Sequence, residues 1–164
     1  MRSHPRICVA ALLTCIAACD GGGDDGITDD STCGLVLSLA GDLNYEKSGS
    51  DDVACLSQLQ SEGMDFDYLL LSGDVKQVGV AVMTVTRGAT GSFPATVTVQ
   101  HSDERTWTSD ACTAAIDEQS FAATVEFGDR YRVHGVLDCP SPATGSGSLT
   151  IASFEFVVSV TWTG

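Results

Sequence analysis

The sequence predicts an all-β domain, an antiparallel sandwich of roughly seven to nine strands, with a small closed barrel as the alternative closure. Three features carry that expectation. Apolar residues alternate with period two, turn-forming clusters recur at fairly even spacing, and no segment beyond the first nineteen residues keeps a long helical period.

Taken in order, "CGLVLSLAG" sets Leu35, Leu37 and Leu39 on one face of a strand. "VACLSQLQSEG", from Val53 to Gly63, is the one segment that reads as a short helix. "FDYLLL" runs from Phe66 to Leu71, and "VGVAVMTVT", Val78 to Thr86, is apolar on both faces. In "ATVTVQ", Val97 and Val99 alternate with threonines, and "FEFVVSVTW" sends Phe154, Phe156, Val158, Val160 and Trp162 to one side. The clusters "RGATGSFP" and "CPSPATGSGS" separate such runs. In "FAATVEFGDRYRVHGVLDC" a three-residue loop, Gly128 to Arg130, brings Phe127 opposite Tyr131, Glu126 opposite Arg132 and Thr124 opposite His134. Arg132 and His134 are then surface groups of the sheet. Trp162 belongs to the core by alternation, whereas Trp107, flanked by Arg105 and threonines, is the candidate exposed aromatic.

The start of the chain has a different character. "MRSHPR" carries Arg2 and Arg6, and "ICVAALLTCIAA" follows as about a dozen apolar or small residues, the layout of a signal peptide. A membrane-spanning helix needs roughly 18 or more apolar residues, and Asp20 with its glycines ends this run earlier. Ile16, Ala17 and Ala18 before Cys19 resemble the lipobox of bacterial lipoproteins, with Ile where Leu is commonest. The resemblance covers residues 1–19 only. It implies removal of residues 1–18, lipid on Cys19, and a chain held to a membrane of the bacterial cell envelope, facing the periplasm or the exterior.

Residues 19–32 follow as a spacer, "CDGGGDDGITDDST", with five Asp and four Gly, a composition that favours a flexible, self-repelling tether over a metal site. Residues 33–164 form the single β domain. Loss of residues 1–18 removes two arginines and no acid, taking the formal charge from −14 to −16. Such a surface argues against nucleic acid or anionic lipid as a partner.

Of seven cysteines, Cys8 and Cys15 leave with the signal and Cys19 carries lipid. Cys33, Cys55, Cys112 and Cys139 remain, an even number in an exported chain, which favours disulfides. The pairing expected is Cys33 with Cys55 and Cys112 with Cys139, each tying neighbouring strands. No C-x-x-C spacing points to zinc.

Chemistry-bearing clusters are few. His101, with Ser102, Asp103 and Glu104 nearby, has the residue types of a hydrolase site, yet consecutive strand residues point to opposite sides, so His101 and Ser102 do not converge on an extended strand. "GDLNYEKSGSDD" imitates part of a calcium loop, but Lys47 stands where glycine is required and Val53 where the bidentate Glu belongs. Asp42, Asp51 and Asp52 stay as weak calcium candidates. There is no nucleophile elbow, phosphate loop, dinucleotide fingerprint or H-E-x-x-H. No catalytic residue and no cofactor are expected. The sequence therefore predicts a lipid-anchored, non-catalytic binding or structural module with an envelope protein or glycan as partner. A small-molecule carrier is the alternative, needing an interior pocket above roughly 300 Å³, and a surface hydrolase at His101 is the third reading.

Overall fold

The structure, a computed structural model, describes residues 32–164. The signal segment, Cys19 and the spacer up to residue 31 lie outside the described residues. Eleven strands and no helix make up the described chain: β1 (Gly34–Gly41), β2 (Tyr45–Gly49), β3 (Val53–Ser57), β4 (Leu59–Gln60), β5 (Met64–Leu70), β6 (Val75–Val82), β7 (Gly91–His101), β8 (Thr106–Val125), β9 (Gly128–Asp138), β10 (Ala143–Gly145) and β11 (Ser148–Trp162). Strands beyond the expected seven to nine are the short β2, β4 and β10.

These strands form one sheet, folded over as a sandwich. One layer runs β5, β6, β7 and the first half of β8; the other runs the second half of β8, β9, β11, β1 and β2. β8 and β11, 20 and 15 residues long, are what link the layers. Neighbouring strands are antiparallel throughout, apart from β4, whose two residues lie parallel to Thr161 and Trp162 of β11. That short pairing brings the far end of the sheet back to β11. Gln60 holds it: its buried amide donates to the carbonyls of Gln58 at 2.7 Å and Asp65 at 3.0 Å, and its own carbonyl accepts the Thr163 N–H at 2.7 Å.

The alternation read from the sequence sets the core. Leu35, Leu37 and Leu39 are buried, as are Phe154, Phe156, Val158, Val160 and Trp162. Phe66, Tyr68, Phe154 and Phe156 meet in a chain of tilted and edge-on rings 5.1 to 6.4 Å apart. The Tyr68 hydroxyl donates to the Val157 carbonyl at 2.8 Å, which satisfies it inside the core. Burial nonetheless holds that phenol well above the ordinary tyrosine range, against the smaller opposing pull of the Val157 hydrogen bond.

The disulfides are Cys33–Cys55 and Cys112–Cys139. The second lies across hydrogen-bonded neighbours, next to the Thr113–Asp138 pair of β8 and β9. The first does something else. β1 stands next to one end of the strand order and β3 at the other, so Cys33–Cys55 fastens the fold-over of the sheet beside β4, not a local meander.

Three other expectations are corrected. Val53 to Gly63 is not helical but holds β3 and β4, because β5 offers Val53–Ser57 a ladder and Cys55 is drawn to Cys33. Trp107 is wholly buried: it pairs with Val99 across β7 and β8 and shares that residue's inward face, with the Arg105 guanidinium 5.2 Å from its ring centre. The β8–β9 hairpin turns at Glu126–Phe127, with Val125 opposite Gly128. That turn moves the pairing by five residues from the expected register, and two bulges move it by one more each. Asp117 and Ala122 are extra residues in β8, so Phe121 faces Tyr131, Ser120 faces Arg132 and Glu118 faces His134. Phe121 and Tyr131 then meet edge to face at 5.8 Å, and Phe127 is left 62% exposed at the tip.

The sandwich has two distinct ends. Backbone hydrogen bonds from Ser102 to Asp74, Ser146 to Thr106 and Asp42 to Ser148 knit the turns of one end. At the other, Gly63 bonds Val85, Met83 bonds Pro94, and Gln119 reaches Thr86 and Ala89. The β8–β9 tip lies at this second end, tied by the 3.1 Å ion pair of Arg87 with Asp129.

Candidate functional site

His101 closes β7, and the three residues after it make a tight hairpin to β8. The His101 N–H donates to the Arg105 carbonyl and the Glu104 N–H to the His101 carbonyl. Glu104 takes the left-handed backbone, φ 73°, that such a loop needs at its last position. Within it the Asp103 carboxylate is 2.6 Å from Nδ1 of His101, while the Asp103 N–H lies 3.1 Å from the same nitrogen. Desolvation, the largest single influence, pushes the Asp103 carboxyl up, but hydrogen bonds from the Arg105 backbone and guanidinium, then from His101, together outweigh it and hold the group below its usual range. The Ser102 N–H is turned to Asp74, and among the described residues no hydroxyl is hydrogen-bonded to His101. His101, Asp103 and Glu104 are thus brought together as a turn, without a nucleophile.

The calcium candidates are not brought together. Asp42 lies before β2, and its carboxylate accepts the Ser148 N–H at 2.6 Å, closing the end of β11. Asp51 and Asp52 follow β2, so the strand's five residues, about 16 Å of extended chain, stand between. Among the described residues, no three of His, Cys, Asp and Glu are grouped to hold a metal.

A cluster not foreseen surrounds His134. The bulge at Asp117 turns its carboxylate to Nδ1 at 2.5 Å, and Glu155 of β11 meets Nε2 at 3.0 Å. Both ring nitrogens face acceptors, which suits the doubly protonated ring. Partial burial pulls its pKa down, but the hydrogen bonds it donates to Glu155 and Asp117 prevail and hold it above the ordinary histidine value. Next to it, Glu118 accepts the Ser120 hydroxyl and the Arg132 guanidinium, each at 2.7 Å, and its pKa is lowered, by the Ser120 bond first and Arg132 after it. Asp117 and Glu155 lie on opposite edges of the imidazole, so the cluster is a charge-neutralising knot. Only the bulge makes it, and the apolar alternation carries no signal of a bulge.

The surface hollows lie on the two layers. On the outer face of β5 to β8, two adjoining hollows of about 260 and 170 Å³ share Asp67, Gly79 and Thr98. Gln77, Gln100 and Thr106 line one and Asp65 the other, and no Lys or Arg lines either. Gly79 keeps the floor open: a Cβ there would meet the Asp67 carboxylate at 2.9 Å. Gln77 donates to that same carboxylate oxygen at 2.9 Å, leaving the other free of protein donors among the described residues. On the other layer, a groove of about 540 Å³ crosses β11 and β9, with Ser159, Thr161, Arg130 and Arg132 as its floor and Leu56 and Thr32 on its sides. A third hollow, of about 450 Å³, lies along β1 and β2. All open outward, whereas Trp107, Trp162, Tyr68, Phe154 and Phe156 fill the interior.

No family model matches the chain, and no curated protein and no solved structure matches it.

Proposed function

We propose that this chain is a lipid-anchored protein of the bacterial cell envelope whose β domain is a non-catalytic binding module. Its ligand is a neutral glycan, taken by the trough on the outer face of β5 to β8. The observation that carries the reading is the make-up of that trough: hydroxyl, amide and carboxylate groups from four strands around an open floor at Gly79. Such groups exchange hydrogen bonds with vicinal hydroxyls, and Asp67 retains an acceptor oxygen for them. With both tryptophans buried, recognition rests on hydrogen bonds and not on stacking. The carrier reading calls for an empty interior, and aromatic side chains occupy that space. The hydrolase reading calls for a nucleophile at His101, where the hydrogen bonds close a turn instead.

The anchor rests on the Ile16-Ala17-Ala18-Cys19 resemblance. Among the described residues no helix is long and apolar enough to cross a membrane. Metabolic labelling with a fatty acid tags the wild-type chain, and Cys19→Ser removes the tag. Crosslinking in the native envelope then recovers glycan with the wild-type protein and much less with Gly79→Val, whose side chain fills the floor. An unlabelled wild-type chain overturns the anchor, and equal recovery by Gly79→Val overturns the trough.

A further inference from the structure

The domain's surface is uneven along the axis of the sandwich. Five of the seven large apolar side chains left exposed, Leu56, Leu59, Met83, Phe121 and Phe127, lie at or beside the end that carries the β8–β9 tip. Leu59, Thr161, Arg130 and Ala123 follow one another across β4, β11, β9 and β8 as paired residues, so the row that edges this end mixes apolar groups with a guanidinium. Arg130 is exposed and, among the described residues, has no acidic partner. Carboxylates stand at both ends: Asp42, Asp74, Asp103 and Glu104 at the opposite one, and exposed Glu62 and Glu126, with Asp129 paired to Arg87, at the tip end. The chain enters at the same end as the tip: Thr32 lines the groove with Arg130 and Thr161, and thirteen residues, Asp20 to Thr32, separate it from Cys19.

We propose that the tip end of the sandwich docks on the bilayer surface, with Phe127 and Leu59 in the headgroup and acyl boundary and Arg130 on lipid phosphates. This rests on the anchor proposed above. Thirteen residues span at most about 45 Å, so the anchored domain stays that close to the bilayer, meets it at an effective concentration near millimolar, and needs only a weak intrinsic affinity to populate the docked state. Large apolar side chains beside a guanidinium suit the interface, where rings and methyls enter the boundary and cations meet phosphate. Docking this end keeps Asp42, Asp74, Asp103 and Glu104 away from lipid phosphates and leaves Glu62 and Glu126 at the headgroup level. It also leaves the trough, on the other layer, open to a ligand.

The test places an indole at the tip by Phe127→Trp in the full lipidated chain, reconstituted in phosphatidylcholine vesicles whose acyl chains are brominated near the headgroup. Trp107 and Trp162 are buried and give a constant background. The introduced indole should shift to the blue and be quenched. The same substitution at Leu71, which is 71% exposed in the β5–β6 turn, should not respond, and Arg130→Glu added to Phe127→Trp should weaken the quenching. No quenching at the tip, or equal quenching at both positions, overturns docking while leaving the anchor intact. If fatty-acid labelling shows no anchor, the Cys19→Ser chain at high vesicle concentration decides docking by itself: quenching at 127 and not at 71 supports it, and none refutes it.

Discussion

Removing Cys33–Cys55 and removing Cys112–Cys139 should cost nearly the same in global stability and differ in where the structure loosens. The loops closed span 22 and 27 residues, and loop-closure entropy then assigns the bridges about 3.4 and about 3.5 kcal/mol. For about 130 residues the unfolding entropy is about 0.28 kcal/mol/K, so either loss lowers Tm by about 12 °C. The local effect separates them. Cys112 and Cys139 sit beside a ladder that runs through Thr113 and Asp138, whose hydrogen bonds hold the strands without the bridge. Cys33–Cys55 instead reinforces a closure otherwise made by two residues of β4, the Gln60 amide and the Ser57 hydroxyl on the Ser159 carbonyl. Cys33→Ala/Cys55→Ala should therefore raise amide exchange at Thr161, Trp162 and Thr163 well beyond the rise in Cys112→Ala/Cys139→Ala, compared at equal global stability. Urea melts and exchange mass spectrometry on the two variants measure both quantities. Equal exchange at those three amides would refute the idea that the first bridge holds the fold-over.

Two further outcomes follow from the sheet. Because the folded pKa of His134 is raised, its contribution is fully present below the unfolded value of about 6.5 and disappears as pH rises through the folded pKa; Tm of the wild type should fall over that window more than Tm of His134→Gln, and parallel curves would remove the cluster from the account. Gly135→Ala should destabilise by about 2 kcal/mol in a urea melt, since the added methyl meets the Phe156 ring at 2.7 Å and the Ala115 carbonyl at 2.8 Å, and a neutral result would mean that the Phe156 ring moves aside at no cost.

Period two was legible wherever one face of a strand is buried without interruption. Phe154 to Trp162 is the clearest case, and Leu35 to Leu39 another. It failed at β8 because the alternation of Ala123, Val125 and Phe127 fits more than one turn and has no way to register an inserted residue: the chain turns at Glu126–Phe127, and two insertions shift the pairing further. "VACLSQLQ" misled because Val53, Leu56 and Leu59 fall at helical spacing, although Leu56 and Leu59 are in fact left exposed. The buried position of Trp107 was available from the same alternation, through its pairing with Val99, but its polar neighbours obscured it. The hollows were not legible at all. Rows such as Leu59, Thr161, Arg130 and Ala123 join residues far apart in the chain, and only the strand order puts them side by side.

The strand order ends at β3, which Cys55 and Ser57 tie back to Cys33 and Ser159, and at β2, which has a ladder on a single side. An unpaired edge is a template onto which another copy can add, and copies that add in series grow into fibres. β2 has only five residues, with Glu46 and Lys47 at its centre and Gly49 at its end in a left-handed conformation, φ 93°. A second chain laid along it would find few amides to pair before the backbone turns away, and would have to bury a charge of each sign to reach them. Any surface that concentrates this domain can therefore hold many copies side by side without seeding aggregation.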